Sequence, residues 1–145
     1  MTTRAIIHHG GCHCGGVKFE CYAEVAGALV CHCYDCMKTI GASIVASTIS
    51  LDDIAITATT LKWYRSSAIA ERGFCTECGG SMFYKPDHGH RVSICLGMFD
   101  DAENLSCRGQ IYGHAHPGFM SLPHDIPHVD EAYQGGKVVD NVSPQ

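Results

Sequence analysis

The chain has 145 residues, of which 46% are hydrophobic and 17% charged, a composition typical of one globular domain and unlike that of disordered or membrane proteins. Fifteen acidic and ten basic residues give a net charge of −5, and the lysines and arginines are scattered singly along the chain. This pattern argues against a nucleic-acid groove or a polybasic membrane patch, so we predict neither nucleic acid nor membrane as a partner.

The N-terminal residues contain one early arginine but no apolar stretch long enough for a signal peptide. No apolar run approaches the ~20 residues of a membrane-spanning helix. We therefore expect a cytoplasmic protein, whose thiols are kept reduced. We also expect a single domain over residues 1–130, with its core at about 10–130. The segment QGGKVVDNVSPQ predicts a C-terminal tail over residues 131–145.

The first predicted strand is VKFECYA, in which Val17, Phe19 and Cys21 alternate with polar side chains, the period of a half-buried strand. Other short segments rich in β-branched or aromatic residues, bounded by Gly, Asp or Pro, predict further strands. In chain order they read ASIVASTI, IAITAT, LKWYR, IAERGF, SMFYK and RVSICLG. Helix is expected only in small pieces, such as DCMKTIG. The pattern predicts a mainly β domain built on a twisted sheet.

Seven of the ten cysteines fall into three closely spaced groups. These are a first cysteine pair (Cys12 and Cys14), a cysteine triplet (Cys31, Cys33 and Cys36) and a second cysteine pair (Cys75 and Cys78). Disulfides fit poorly, because cysteines one or two residues apart rarely bridge without strain and the expected compartment is reducing. Sulfur ligands suit zinc or an iron–sulfur cluster, and this division fits an iron–sulfur run less well. The sequence therefore predicts zinc.

Seven sulfur ligands divide naturally into four and three. A structural zinc site is closed by four protein ligands, whereas a catalytic site has three and leaves one position for water or substrate. The cysteine triplet is local enough to form a three-ligand site alone, and the two pairs can close a four-ligand site across the intervening chain. The opposite division, in which the triplet takes one distant cysteine, remains possible but leaves three thiols unexplained.

The chain resembles the glutathione-dependent formaldehyde-activating enzyme (GFA-like) family, which includes centromere protein V-like members, over roughly residues 10–130. The segments that carry the resemblance read, in order, GGCHCGGVKFE, CHCYDCMKTIGAS, RGFCTECGGSMFYK and SICLGMFDD. The resemblance implies an Mss4-like β fold with zinc clips and two Zn²⁺ ions per chain. It assigns a structural zinc to Cys12, Cys14, Cys75 and Cys78, and a catalytic zinc to Cys31, Cys33 and Cys36.

The resemblance also implies carbon–sulfur lyase chemistry. A thiol and an aldehyde would interconvert with an S-hydroxymethyl adduct, and glutathione and formaldehyde are the namesake pair. The co-substrate would be glutathione or another small thiol. Because glutathione is anionic, some of the scattered cations would have to face the pocket. The candidates are Lys38, Lys62, Arg65, Arg72 and Arg91.

One segment departs from the family pattern. Family members often carry I-W-V-x-S-K-x-P-W where this chain reads IYGHAHPGF, so that His116 replaces the Lys and Phe119 the final Trp. If this segment lines the pocket, the thiol or aldehyde differs from the namesake pair. A second hypothesis is a non-catalytic, zinc-clipped protein-binding module of Mss4-like fold. A fourth protein ligand at the triplet, for which His114 and His116 are candidates, would favour it.

Two polar residues lie inside the triplet motif itself. His32 and Asp35 could move protons or bind water near the metal. Residues at such positions more often point outward from a turn into solvent, and this is what we expect for both.

Overall fold

The computed structural model describes residues 3–121, 125–127, 132–134 and 137–139. These residues form twelve strands, one short α-helix and several single-turn 3-10 helices, so the mainly β prediction is confirmed. The strands are β1 (His8–Gly11), β2 (Val17–Cys21), β3 (Ala28–Cys31), β4 (Ile44–Ser50), β5 (Ile54–Ala58), β6 (Leu61–Arg65), β7 (Ala70–Cys75), β8 (Ser81–Pro86), β9 (Arg91–Cys95), β10 (Cys107–Ile111), β11 (Ala132–Gln134) and β12 (Lys137–Val139). The helix, α1 (Tyr34–Ile40), has seven residues. No helix in the described ranges is long and apolar enough to span a bilayer.

Seven strands form the larger sheet, in the order β10-β3-β4-β9-β8-β7-β6. Its neighbouring strands are antiparallel, except that β10 runs parallel to β3. A second, antiparallel sheet has the order β1-β2-β5. Within the predicted C-terminal tail, β11 and β12 pair with each other, and the remainder of residues 131–145 lies outside the described residues.

The main hydrophobic core joins the two larger sheets. Phe19 on β2 makes edge-to-face contacts with Phe83 of β8 and with Phe99, at ring-centroid distances of 6.0 and 5.1 Å. The other buried aliphatic and sulfur side chains of this core include Val17, Cys21, Ile49, Met82, Val92 and Ile94. Each fully buried large apolar side chain stabilises the fold by roughly 1.5–3 kcal/mol. The predicted alternation in β2 is confirmed, because Val17, Phe19 and Cys21 are buried while the residues between them are exposed.

Strand β1 was not predicted, because HHGG contains no apolar residue. Its backbone approaches the chain near Met98 so closely that a Cβ on Gly10 would overlap the Met98 carbonyl oxygen. Gly10 also forms an isolated bridge with Phe99. Glycine at this position therefore allows the smaller sheet to lie against the segment that follows β9.

His8 fastens β1 to two acidic side chains. Its Nδ1 lies 2.9 Å from Asp101 Oδ2, and its Nε2 lies 2.9 Å from Glu24 Oε2. Burial by itself lowers the pKa of His8, but the hydrogen bonds with Asp101 and Glu24 outweigh that effect and raise the pKa above its ordinary value. The folded protein therefore binds this proton more tightly than the unfolded chain does.

We predict that replacing His8 by Gln destabilises the protein more in acid than in base. A raised pKa contributes stability that is fully present below the unfolded pKa of about 6.5 and is lost as the pH rises through the folded pKa. Because Glu24 is largely exposed, the expected difference is about 1 kcal/mol or less. Urea unfolding at pH 5.5 and 8.5 measures it, with exposed His88→Gln as the control, because the His9 ring itself pairs with Asp100. A difference that grew towards pH 8.5 would contradict the assignment.

Candidate metal centres

The two cysteine pairs come together in space and form one cysteine quartet. The four sulfurs of Cys12, Cys14, Cys75 and Cys78 lie within 4.8 Å of one another. Two of these separations are 3.7 Å (Cys12 to Cys14) and 3.5 Å (Cys14 to Cys75). Zn–S bonds of ~2.3 Å in a tetrahedron place sulfurs ~3.8 Å apart. The quartet therefore fits a closed, four-sulfur zinc site.

Tight turns position each half of the quartet. Cys12 and Cys14 lie in the turn between β1 and β2, while Cys75 ends β7. The turn after Cys75 closes through a 2.9 Å bond from the Gly79 N–H to the Cys75 carbonyl, with Gly79 at φ 74°. Only glycine adopts this conformation easily. Glycine at position 79 therefore permits the tight turn that holds the second cysteine pair.

Hydrogen bonds favour the thiolate form of Cys75. Its sulfur accepts from the Cys78 N–H at 3.5 Å and lies 3.1 Å from the Thr60 hydroxyl. The bond from the Cys78 N–H makes the larger contribution and the Thr60 hydroxyl the next, and together they lower the pKa of Cys75 to about 6. Thiolate is the form that binds metal, so the turn prepares Cys75 to act as a ligand.

The cysteine triplet forms a second group, with its three sulfurs within 4.8 Å of one another. Cys31 ends β3, Cys33 caps the N-terminus of α1, and Cys36 lies in the first turn of that helix. The Cys33 sulfur accepts from the Cys36 N–H at 3.4 Å. A strand end followed at once by a helical turn thus aims three sulfurs at one point, and all three are buried.

The triplet is an electrostatically coupled set of thiols. Hydrogen bonds with Cys31 and Cys36 lower the pKa of Cys33, while hydrogen bonds with Cys33 and Cys36 raise the pKa of Cys31. Cys33 is therefore the sulfur that most readily carries negative charge, because the thiols of Cys31 and Cys36 donate hydrogen bonds to it. Such a cluster of soft donors suits Zn²⁺ far better than Mg²⁺ or Ca²⁺.

Neither candidate histidine belongs to the triplet. Within the described residues, no fourth His, Cys, Asp or Glu places a ligand atom in this group. His114 and His116 are both exposed, and His116 Nδ1 lies 3.1 Å from the Gly113 carbonyl oxygen. The described part of the chain therefore presents three sulfur ligands here and four at the quartet.

Arg72 is the cation that reaches the triplet. It lies on β7 with only 4% of its surface exposed. Its Nη1 and Nη2 atoms approach Cys36 Sγ at 3.8 and 3.7 Å, and Nη1 also donates to Thr39 Oγ1 at 3.3 Å. The guanidinium lies 5.1 Å from the ring centroid of Tyr84. Burial acts to lower the pKa of Arg72, but the negative charge of Cys36 raises it overall, so the side chain remains charged.

The sequence could not single out Arg72 among its five candidates. The other four, Lys38, Lys62, Arg65 and Arg91, are all exposed. Arg65, for example, forms a 2.8 Å ion pair with Asp87. Arg72 lies beside the sulfur cluster because β7 pairs with β8 and α1 lies near β7. This arrangement is a property of the fold and not of the local sequence.

The expectation that His32 points into solvent is wrong. His32 is 1% exposed, with Nδ1 2.6 Å from the Ser43 hydroxyl and Nε2 2.9 Å from Gln110 Oε1. Gln110 Nε2 donates to the Ile126 carbonyl at 3.0 Å, so its Oε1 must face His32 and accept the proton on Nε2. His32 therefore joins the triplet motif to β10. Gln110, a polar residue in a short strand, gave no sequence signal of this role.

Asp35, the second polar residue of the triplet motif, is half-buried. Its Oδ2 atom is buried without a hydrogen-bond partner in the described structure. Burial, and then the negative charge of Cys33, raise the pKa of Asp35. Asp35 is therefore the carboxylate most directly influenced by the charge of the triplet.

Part of the segment that departs from the family pattern lies against the triplet. Ile111 and Tyr112 pack against the three cysteines together with Cys95 and Ile44. Tyr112 adopts the left-handed conformation (φ 54°, ψ 42°), which a residue with a large side chain rarely occupies. By contrast, Phe119 is 75% exposed. The start of this segment thus forms a wall of the site.

A cavity of about 390 Å³ lies beside the triplet cluster, and its lining includes none of the three triplet cysteines. It shares Ile44 and Cys95 with the residues that pack on the triplet, and it also borders Thr39. Its other lining residues are Ile40, Val45, Gly79, Ser81, Leu96, Gly97 and Met98. No charged side chain is among them. Its size is within the range of small-molecule pockets.

Comparisons with known proteins agree with this architecture. The family model for "Glutathione-dependent formaldehyde-activating enzyme" matches residues 7–115, which include all seven clustered cysteines. An uncharacterised lyase of Schizosaccharomyces pombe is 24% identical over 105 residues, covering 72% of this chain and 77% of that protein. A crystal structure of a Rhodobacter sphaeroides protein has a TM-score of 0.54 at 26% identity, covering 64% of this chain and 88% of that chain.

We predict that His32→Ala destabilises the zinc-loaded protein by about 2–3 kcal/mol, because Ser43 and Gln110 would keep buried polar atoms without their partner. Chemical unfolding of the wild type and the variant measures the loss. Exposed His88→Ala is the matched control and should change stability by less than about 0.5 kcal/mol. Equal effects of the two substitutions would show that the His32 contacts contribute nothing.

Proposed function

Because the chain belongs to the glutathione-dependent formaldehyde-activating enzyme family, we propose that it is a zinc-dependent carbon–sulfur lyase that forms or cleaves the S-hydroxymethyl adduct of a small thiol. The family match and the lyase-named relative support a lyase. The observation that carries the proposal is the division of seven cysteines into a four-sulfur and a buried three-sulfur group. The namesake pair, glutathione and formaldehyde, or a related thiol and aldehyde, would be the substrates.

The two groups would have different functions. The quartet (Cys12, Cys14, Cys75 and Cys78) would hold a structural zinc, and the triplet (Cys31, Cys33 and Cys36) a catalytic one. Zinc bound at the triplet would supply a position at which a substrate thiol is held as its thiolate. Because the thiolates of both groups require a reducing compartment, we also propose a cytoplasmic location.

The side chains around the triplet would prepare the site for this reaction. Arg72 donates towards Cys36, which fixes that sulfur and offsets its charge. Ile44, Ile111 and Tyr112 pack against the cluster and give it an apolar surrounding. Adduct formation joins the thiolate sulfur to the carbonyl carbon, the C=O π pair moves to oxygen, and that oxygen takes from solvent a proton equivalent to the one that the thiol released. Cleavage removes that proton and returns the electron pair of the C–S bond to sulfur.

The neutral cavity bears on which thiol is used. Glutathione carries two carboxylates, and the residues that line the cavity offer no cation to pair with them. Arg72 is buried beside Cys36, and the other four candidate cations are exposed. We propose that the substrate reaches the triplet from this cavity, whose lining would suit a smaller, uncharged thiol or an aldehyde with an apolar substituent better than glutathione.

Metal content and thiol binding test the proposal together. We expect two zinc ions per chain, and, after cobalt replaces zinc, a change in the cobalt spectrum when a small thiol is added. Glutathione and 2-mercaptoethanol serve as the charged and uncharged probes. A protein with two metals whose spectrum no small thiol changes would instead be the non-catalytic protein-binding module.

Single cysteine substitutions test the division of labour. Cys33→Ser should remove one zinc and reduce lyase activity by at least about 100-fold while the chain remains folded. Cys75→Ser should unfold the chain or destabilise it by several kcal/mol, because structural zinc binding is coupled to folding. Zinc analysis and circular dichroism measure these effects, with Cys107→Ser, outside both groups, as the control. Equal unfolding of the two variants would contradict the assignment.

A further inference from the structure

Charge is the central difficulty of the triplet if, as the proposed function requires, it receives a thiolate. Three thiolates and one Zn²⁺ carry a net charge of about −1. A substrate thiolate would bring it to about −2 at a place where Cys31, Cys33 and Cys36 are all buried. Accumulating negative charge away from water is strongly unfavourable unless a cation compensates for it.

We propose that Arg72 is the positioning residue that makes the triplet able to accept an anionic thiolate, by holding one positive charge against Cys36. Both terminal nitrogens of Arg72 approach the Cys36 sulfur, at 3.8 and 3.7 Å. With this charge included, the metal-loaded triplet is neutral before the thiol binds. The thiol binds as thiolate and gives its proton to solvent.

The surroundings of Arg72 indicate that the triplet sulfurs are the counter-charge of its guanidinium. No ion pair joins Arg72 to a carboxylate in the described residues, and the other side chains that it contacts, Thr39 and Tyr84, are neutral. Its Nε has no hydrogen-bond partner in the same part of the chain. A guanidinium that is 4% exposed needs a counter-charge. The triplet supplies this counter-charge. The charge of Arg72 acts to lower the pKa of Asp35, but the two side chains form no ion pair, and Asp35 is only half-buried.

The position of this charge is fixed by neutral contacts. Thr39 Oγ1 accepts from Nη1 at 3.3 Å and itself donates to the Asp35 carbonyl at 2.7 Å, so Arg72 is tied to helix α1. The Tyr84 ring lies against the guanidinium. A planar, forked cation suits this arrangement, whereas lysine would keep the charge but lose the fork.

Two ligands of different charge separate this role from a structural one. We would titrate the cobalt-substituted full-length protein at about pH 8 with 2-mercaptoethanol, which binds as a thiolate, and with imidazole, which is neutral there. Arg72→Gln should weaken thiolate binding about tenfold to a hundredfold while changing imidazole binding less than about threefold. Arg72→Lys should restore most of the thiolate affinity. Exposed Arg65→Gln, which removes the same charge from the surface, should behave as the wild type.

Each alternative outcome has a definite meaning. The proposed charge role would be overturned if Arg72→Gln lost affinity for 2-mercaptoethanol and imidazole equally, or lost affinity for neither. If Arg72→Gln does not fold, Arg72→Lys decides: a preserved ratio of thiolate to imidazole affinity supports the proposal, and a selective loss of thiolate binding overturns it. A wild-type protein that binds imidazole but no thiol would refute the proposed function itself, which is a different result.

Discussion

The convergence of cysteine sulfurs from separate parts of the chain is the constraint on which the rest of the structure depends. The quartet joins the turn between β1 and β2 to the turn after β7, and so connects the smaller sheet to the larger one. The aromatic contact between Phe19 and Phe83 makes the same connection through the core. The converging sulfurs and the hydrophobic core thus link the same two sheets, so a shift of the turns would disturb the core residues as well.

The triplet poses the opposite physical problem, because its sulfurs lie in a buried setting that disfavours negative charge. The Cys36 N–H at the start of α1 donates to the Cys33 sulfur and stabilises its thiolate form, and Arg72 on β7 approaches the Cys36 sulfur. Both contacts favour thiolates without adding a ligand. Burying charged groups costs stability, and strongly perturbed pKa values in a buried cluster are typical of functional sites.

Much of this architecture could be predicted from local sequence patterns. Cysteine spacing identified both metal groups, and the period of two identified β2, because one face of that strand is exposed. The same signal fails for β3 (ALVC), which lies between β10 and β4, and for β1, which has no apolar residue. The burial of His32 depends on its contact with Gln110, which lies 78 positions later in the chain. The position of Arg72 beside the triplet depends on its contact with Cys36, which lies 36 positions earlier. No local sequence pattern encodes contacts over such separations.

The parallel pairing of β3 with β10 has a consequence for the order in which the protein is made. Cys31 pairs with Ile111, about 80 residues later, whereas the last quartet residue is Cys78. On the ribosome, all four quartet sulfurs emerge well before the strand that borders the triplet. Long-range parallel pairing also forms slowly, since a large loop must close first. The nascent chain can therefore present all seven clustered sulfurs before the strand that borders the triplet has paired with β3.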